Sequence, residues 1–241
     1  MSNIGIVIVT YNSEAEIGAC LDAAMRSGSE VVVVDNASSD GTVAEVRNRG
    51  VRLVANPTNR GFAAAVNQGF SALETRYVLL LNPDAELLGG LKDLCAACDL
   101  PGSAGAGGKL LDAQDRPQIG FMVRQLPTPL ILTLEALLLN RILPNNPVNR
   151  RYRGLQLNYN VRIPVEQPAG AFLMVRRAVW QELGGFDESF FPALVRRCGL
   201  LPTRARQGAT IVLRSRSGGS ASGRTFGFAA IGRETPHLLV W

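Results

Sequence analysis

Four apolar runs of strand length alternate with segments of helical periodicity over the first 85 residues. These runs are residues 4–9, 31–34, 51–55 and 77–81. Runs dominated by Val, Ile and Leu are typical of strands that are buried on both faces of a parallel sheet. Between the first two runs, Ile17, Leu21 and Ala24 recur on one face of a predicted helix. The alternation predicts an α/β fold, with a mostly parallel sheet flanked by helices.

The second half of the chain has a less regular pattern. We predict a helix, a flexible connection, an apolar helix, a strand and a short helix, in that order. They correspond to residues 87–99, 102–108, 129–142, 170–175 and 177–183. Beyond Pro192 the periodicity is lost and the chain becomes rich in Arg, Gly and Ser. We therefore predict one domain over residues 1–191 and a poorly ordered tail over residues 192–241.

Composition and charge exclude several classes of protein. The 241 residues are 46% hydrophobic and 19% charged, which suits a packed core. No apolar run reaches the roughly 18 residues of a membrane-spanning helix, and no basic cluster precedes the first apolar run as in a secretory signal. Four cysteines do not suggest a disulfide framework in a chain of this length. We expect a cytoplasmic protein.

The formal net charge of +5 belongs to the tail. Residues 192–241 contain eight arginines, no lysine and a single acid, Glu234. The remainder of the chain carries slightly more acidic than basic residues. We therefore do not interpret the basic balance as a signature of nucleic-acid binding.

Polar side chains follow three of the apolar runs. They are Thr10-Tyr11-Asn12, Asp35-Asn36 and Asn82-Pro83-Asp84. Ligands of open α/β sheets bind beyond the carboxyl ends of the strands. An aspartate there accepts from a base or a ribose hydroxyl, or binds Mg²⁺ or Mn²⁺ together with substrate phosphates. The alternative is that each cluster is only a strand-to-helix turn, where Asn and Asp are common.

Five motifs in register resemble family 2 glycosyltransferases with the GT-A fold, and more narrowly their rhamnosyltransferase-like branch. The motifs are residues 6–13, 33–41, 59–69, 80–84 and the segment 170–191 with its Gly184-Gly185-Phe186-Asp187-Glu188 stretch. This resemblance implies a Rossmann-like sheet and transfer of a sugar from a nucleoside diphosphate to an acceptor, with inversion at the anomeric carbon.

The resemblance also implies roles for individual residues. Asp84 would bind Mg²⁺ or Mn²⁺, and Gly170 and Ala171 would border the acceptor. The residues expected to bind the nucleotide sugar are Thr10, Tyr11, Asn12, Asp35, Asn36, Arg60 and Asn82. Among donors, dTDP-rhamnose is favoured, and the acceptor would be a cell-surface glycan or a lipid-linked sugar.

The sequence departs from the family where the general base is expected. The family continues from this stretch with an aromatic residue and then Glu-Asp, whereas Phe191 is followed here by Pro192, and no acid occurs before Glu234. One choice of codons for residues 194–202, read one nucleotide later, gives Trp-Phe-Glu-Asp-Val-Asp-Phe-Cys. We infer that a frameshift replaced the chain from about residue 193. The catalytic base is therefore unassigned.

Two functions remain open at this point. The first is a metal-dependent sugar transferase; the alternative is a catalytically impaired remnant that still binds the sugar nucleotide. An apolar stretch over residues 130–139 lies near four arginines, Arg141, Arg150, Arg151 and Arg153. It suggests a membrane-surface helix, which would place the protein at the inner face of the membrane. The alternative is a helix that covers the acceptor side of the core.

Overall fold

A computed structural model describes most of the chain. The described residues are 3–112, 114–160, 163–165, 167–188, 211–214 and 228–230. The strands are β1 Ile4–Thr10, β2 Glu30–Asp35, β3 Arg52–Ala55, β4 Tyr77–Leu81, β5 Gly105–Gly107, β6 Val123–Arg124, β7 Pro164–Val165, β8 Gln167–Pro168, β9 Phe172–Arg176, β10 Ile211–Arg214 and β11 Phe228–Ala230. The helices are α1 Glu14–Arg26, α2 Thr42–Asn48, α3 Phe62–Ser71, α4 Leu91–Cys98, α5 Pro129–Ala136, α6 Leu139–Ile142, α7 Pro147–Tyr152 and α8 Arg177–Leu183.

The main sheet has six strands in the order β3-β2-β1-β4-β9-β5. The first four strands run parallel, as the alternating pattern predicts. Strand β9 joins β4 in the antiparallel sense, with Leu81 opposite Phe172. The mostly parallel α/β prediction is therefore confirmed, and β1 lies in the interior of the sheet with β2 and β4 on either side.

The core lies on both faces of this sheet. Ile6 and Ile8 of β1 pack on the face that α1 covers through Ile17 and Leu21, and all four are fully buried. Val7 points to the other face and belongs to a second apolar cluster with residues of α3 and α8. Both faces are apolar because successive side chains of a strand point to opposite sides. Helices on both sides hold the sheet, and its polar strand ends are left at the rim.

The segment of residues 102–108 is not the flexible connection that its glycines suggested. It contains β5, a buried strand that pairs with β9 at the edge of the sheet. A Cβ atom at Gly105 would lie 2.7 Å from the carbonyl oxygen of Met174, so the glycine permits the close approach of the two backbones. The prediction was wrong because this glycine serves strand packing.

Two predicted helices have different bounds in the structure. The helix of residues 87–99 begins only at Leu91, because Gly89 and Gly90 have φ angles of 137° and 85°. The apolar helix of residues 129–142 is divided into α5 and α6 at Leu138, which has a φ of 57°. A left-handed residue cannot continue a right-handed helix.

The predicted tail is described at two strands only. Strands β10 and β11 form a small antiparallel sheet with β7. The rest of residues 192–241, including the start of the inferred frameshift, lies outside the described residues. The interpretation of this segment as an aberrant tail therefore stays a prediction.

Candidate functional site

The three polar clusters come together at one edge of the sheet. Thr10 at the end of β1 lies opposite Asp35 at the end of β2. On the other side of β1, Ile8 lies opposite Leu81, so that Asn82 follows directly at the same edge. Asp84 lies two residues further along that loop. The parallel register thus gathers residues that are more than 70 positions apart in the sequence.

Asp35 and Thr10 form the buried floor of this edge. Each of the two residues is 1% exposed. The Thr10 hydroxyl donates to Oδ1 of Asp35 at 2.9 Å. The backbone N–H of Ser38 donates to Oδ2 at 2.9 Å, and the Ser38 hydroxyl donates to Oδ1 at 2.5 Å. A carboxylate has about four acceptor positions, so Asp35 keeps acceptor capacity for one further partner.

The loop after β1 is fastened to the loop after β2. Asn12 has a φ of 49°, a conformation that Asn tolerates better than most residues. Its backbone N–H donates to the Ser38 hydroxyl at 2.9 Å, and its Oδ1 accepts from the backbone N–H of Ser39 at 2.8 Å. Tyr11 is 54% exposed beside these contacts. The two loops therefore form a linked rim, from which the Tyr11 ring extends.

Asn36 positions the loop that carries Arg60. It is 3% exposed, and its Nδ2 donates to the carbonyl oxygen of Gly61 at 3.1 Å. Its Oδ1 accepts from the backbone N–H of Arg60 at 3.4 Å and from Nδ2 of Asn56 at 3.2 Å. The Asn36 amide is thus engaged by the protein itself.

The Arg60 side chain is exposed at this edge. Its guanidinium lies 3.9 Å from Oε2 of Glu188, with about half of each side chain exposed. An ion pair with this exposure and length contributes little to stability. The guanidinium can exchange this partner for a phosphate with small cost.

The loop after β4 links the edge of the sheet to the predicted acceptor side. The backbone N–H of Asn82 donates to the carbonyl oxygen of Ala171 at 2.9 Å, and Gly170 beside it is buried. Asp84 is exposed and Asn82 is half-buried. The predicted metal ligand and the predicted acceptor border are therefore on adjacent loops.

The Cys20 thiol lies beneath this loop. It donates to the carbonyl oxygen of Asn82 at 3.4 Å. Burial, with a smaller contribution from the negative charge of Asp84, raises the pKa of Cys20 to about 12. The thiol is therefore protonated near neutral pH and packs beneath the loop as a small apolar group.

The donor set suits a metal that is shared with a substrate. The described part of the chain contains no group of three or more His, Cys, Asp or Glu side chains arranged to hold a metal ion. The exposed Asp84 carboxylate and the half-buried Asn82 amide offer hard oxygen ligands. Mg²⁺ is commonly held by one or two carboxylates together with substrate phosphates. The residues present fit such an ion.

Asn67 on α3, which the sequence reasoning did not single out, binds the turn that carries Glu188, the partner of Arg60. Its Nδ2 donates to the carbonyl oxygen of Phe186 at 2.9 Å and to Oε1 of Glu188 at 2.7 Å, and its Oδ1 accepts from the backbone N–H of Phe186 at 2.9 Å. Gly185 has a φ of 80°, and a Cβ there would lie 2.8 Å from Oδ1 of Asn67. The available signal was a polar residue at position 67 in a helix otherwise rich in alanine.

The sheet order and its polar edge define a GT-A fold. The structure is similar to that of a mannosyltransferase from Pyrobaculum calidifontis, solved in complex with GDP-Man and Mn²⁺. The similarity has a TM-score of 0.51 at 22% identity and covers 77% of this chain and 48% of that chain.

The sequence gives the family. Residues 5–181 match Glycosyl transferase family 2, and the chain belongs to this family. It is 32% identical over 204 residues to an N-acetylglucosaminyl-diphospho-decaprenol L-rhamnosyltransferase of Mycobacterium tuberculosis, covering 77% of this chain and 65% of the relative. It is 25% identical over 195 residues to the low-salt glycan biosynthesis hexosyltransferase Agl10 of Haloferax volcanii, covering 79% and 58%. The chain thus spans less than two thirds of the length of these relatives.

Proposed function

We propose that this chain is a glycosyltransferase that binds a nucleoside-diphosphate sugar at the edge formed by the ends of β1, β2 and β4. The observation that carries the proposal is the position of Asp35 at the end of β2 and of Asp84 in the loop after β4, since these two strands flank β1. In these positions, the Asp35 carboxylate is available to the nucleoside and the Asp84 carboxylate to a metal at the diphosphate.

The nucleoside would lie over the linked rim of the first two loops. Asp35 accepts from a base N–H or a ribose hydroxyl with its remaining acceptor position. Tyr11 offers an exposed aromatic face, and the hydrogen bonds of Thr10 and Asn12 hold Asp35 and the second loop in place. Asn36 acts through the loop that it holds, which presents Arg60 to the phosphates.

The diphosphate would lie against the loop after β4. Asp84, with Asn82, would hold Mg²⁺ or Mn²⁺ together with phosphate oxygens, as the chemistry of its oxygen donors allows. Such an ion stabilises negative charge on a departing nucleoside diphosphate. Arg60, whose present ion pair is weak, adds a second positive charge.

The donor and acceptor follow the similarity to the mycobacterial relative. We propose dTDP-rhamnose as the donor and a glycan or a lipid-linked sugar as the acceptor, since that relative is a rhamnosyltransferase with a diphospho-decaprenol acceptor by its name. Gly170 and Ala171 would border the acceptor, next to Asn82. The reaction would invert the anomeric carbon, which requires a base on the acceptor hydroxyl.

This chain has no clear candidate for the general base that would deprotonate the acceptor hydroxyl. No acidic residue occurs between Glu188 and Glu234, and Glu188 already binds Asn67 and approaches Arg60. A positioned general base contributes about 10²–10⁴-fold in rate. The second candidate function, a remnant that binds the sugar nucleotide without efficient transfer, rests on this observation.

The experiment compares this chain with a frame-restored chain in which residues from 194 onward follow the shifted reading frame. Both are assayed for transfer from dTDP-rhamnose, UDP-glucose and GDP-mannose to a membrane-derived lipid-linked acceptor, with Mg²⁺ or with Mn²⁺. We expect transfer from dTDP-rhamnose by the frame-restored chain, at about 10²–10⁴ times the rate of this chain. Equal and rapid transfer by both would show that the base lies elsewhere; no transfer from any donor would contradict the proposed activity.

A further inference from the structure

An exposed group of apolar side chains covers the segment that contains α5 and α6. Six of these side chains are between 50% and 69% exposed, and we call them the leucine patch: Leu130, Leu132, Leu137, Leu138, Ile142 and Leu143. Isolated exposed leucines are ordinary, but six within 14 residues form a concentration that marks an interaction surface.

Two amide side chains of the same segment, those of Asn140 and Asn149, are turned inward. Asn140 is 6% exposed; its Nδ2 donates to Oε1 of Glu135 at 3.0 Å, and its Oδ1 accepts from Nδ2 of Asn146 at 2.9 Å. Asn149 is 3% exposed and donates to the carbonyl oxygen of Pro144 at 2.6 Å. A protein surface in water usually exposes polar side chains and buries leucines, whereas this segment buries two amides and exposes the leucine patch. The arrangement suits a surface that meets an apolar phase.

Leu138 shows that the backbone contributes to this arrangement. Its φ of 57° ends α5 and sets the start of α6, and such a conformation is uncommon for a residue other than Gly, Asn or Asp. Helix α5 packs against both α6 and α7, so the turn is part of a folded unit. Leu138 adopts this conformation and places another apolar side chain at the surface.

Arginines accompany the leucine patch. Arg141, Arg150 and Arg151 are exposed, and the structure gives none of them an ion pair among the residues that it describes. The single acidic residue between positions 129 and 153 is Glu135, whose carboxylate accepts from Asn140. The segment therefore combines apolar side chains with an excess of positive charge.

We propose that the leucine patch and these three arginines dock the protein on the surface of an anionic lipid bilayer. Leucines enter the acyl boundary while arginines remain at the phosphate level, as in interfacial amphipathic helices. An apolar protein partner would not account for the uncompensated arginines. None of the described helices is long and apolar enough to cross a membrane. The inference deepens the proposed function, since a lipid-linked acceptor lies in such a surface, but its test requires neither donor nor acceptor.

The test measures binding of the full chain to sedimented vesicles of phosphatidylcholine with 40% phosphatidylglycerol, and to vesicles of phosphatidylcholine alone. The apolar variant is Leu138→Asn with Ile142→Ser, and Asn suits the left-handed position. Its control is Met25→Ser with Leu88→Ser, two side chains that are 37% and 44% exposed elsewhere. The charge variant is Arg150→Gln with Arg151→Gln, and its control is Arg26→Gln with Arg47→Gln, which are also exposed.

We expect the apolar variant to lose about tenfold or more in partition onto anionic vesicles. The charge variant should lose about 30-fold, since each arginine near the surface contributes about a factor of five, and this difference should vanish on neutral vesicles. Both controls should bind like the original chain. Unchanged binding by both patch variants would overturn the proposal, because any binding would then come from another part of the chain. Self-association of the original chain that Leu138→Asn relieves, without vesicle binding, would overturn it in favour of a contact between proteins.

Discussion

Replacement of Asp35 by Ala should destabilise the fold as well as weaken nucleotide binding. The carboxylate is 1% exposed and accepts from the Thr10 hydroxyl and from both the N–H and the hydroxyl of Ser38. The substitution leaves the Thr10 hydroxyl without this acceptor in a position that is also 1% exposed. A buried donor without a partner costs about 1–3 kcal/mol.

The second part of the cost comes from Ser38. This residue is half-buried, so water can replace the carboxylate there, and we assign it about 1 kcal/mol. Together the two contributions give a loss of about 2–4 kcal/mol in the free energy of unfolding. For a chain of this length the melting temperature should fall by about 5–15 °C.

Chemical denaturation of four proteins measures this effect. They are the original chain, Asp35→Ala, Thr10→Val and the double variant. A fifth protein, Asp84→Ala, serves as the comparison at an exposed carboxylate. We expect a coupling free energy of about 1–2 kcal/mol between Thr10 and Asp35, and a loss below about 1 kcal/mol for Asp84→Ala. A loss below 0.5 kcal/mol for Asp35→Ala, or no coupling with Thr10, would refute the structural role of this carboxylate (on the order of the error in such cycles).

Three further variants and measurements test other contacts of the site. Asn67→Ala should cost about 1–3 kcal/mol and speed hydrogen exchange at Phe186, whereas unchanged exchange would show that the turn holds itself. Because the Asn36 amide holds the Arg60 loop through hydrogen bonds, Asn36→Ala should release this loop and weaken nucleotide binding. Unaltered affinity would contradict that positioning role. Cys20 should resist alkylation in the native protein at pH 8, and rapid labelling would contradict its burial. Because its pKa is raised from 9.0 to about 12 in the folded state, its contribution to stability is present below pH 9.0 and is lost as the pH rises toward 12; Cys20→Ala should lessen this alkaline loss.

The sequence predicted the parallel half of the fold well for a physical reason. Strands β1, β2 and β4 are buried on both faces. The sequence of each is therefore an apolar run that is followed by polar residues. The convergence of these polar ends follows from the direction of parallel strands. In this half of the fold, the local sequence pattern is therefore enough to predict which polar residues come together.

The remaining features depend on contacts between distant residues. The sequence around Gly105 predicts a loop, and only its close approach to the backbone of Met174 shows that it belongs to a strand. Asn67 gains its role from Phe186, which is 119 positions away. Asn36 was expected to bind the nucleotide, and only the structure shows its hydrogen bonds to the Arg60 loop. No local pattern encodes such pairings.

Metal-dependent nucleotide binding tests the central claim most directly. Calorimetric titration with dTDP is performed on the original chain and on Asp84→Ala, each with Mg²⁺, with Mn²⁺ and with chelator. We expect the original chain to bind dTDP more tightly with either ion than with chelator. At a dTDP concentration a hundredfold above Kd, the free energy of unfolding should rise by about 2.7 kcal/mol. Asp84→Ala should bind with one affinity under all three conditions. A metal effect of the same size in Asp84→Ala, or no dTDP binding by the original chain, would contradict a sugar-nucleotide site at this edge of the sheet.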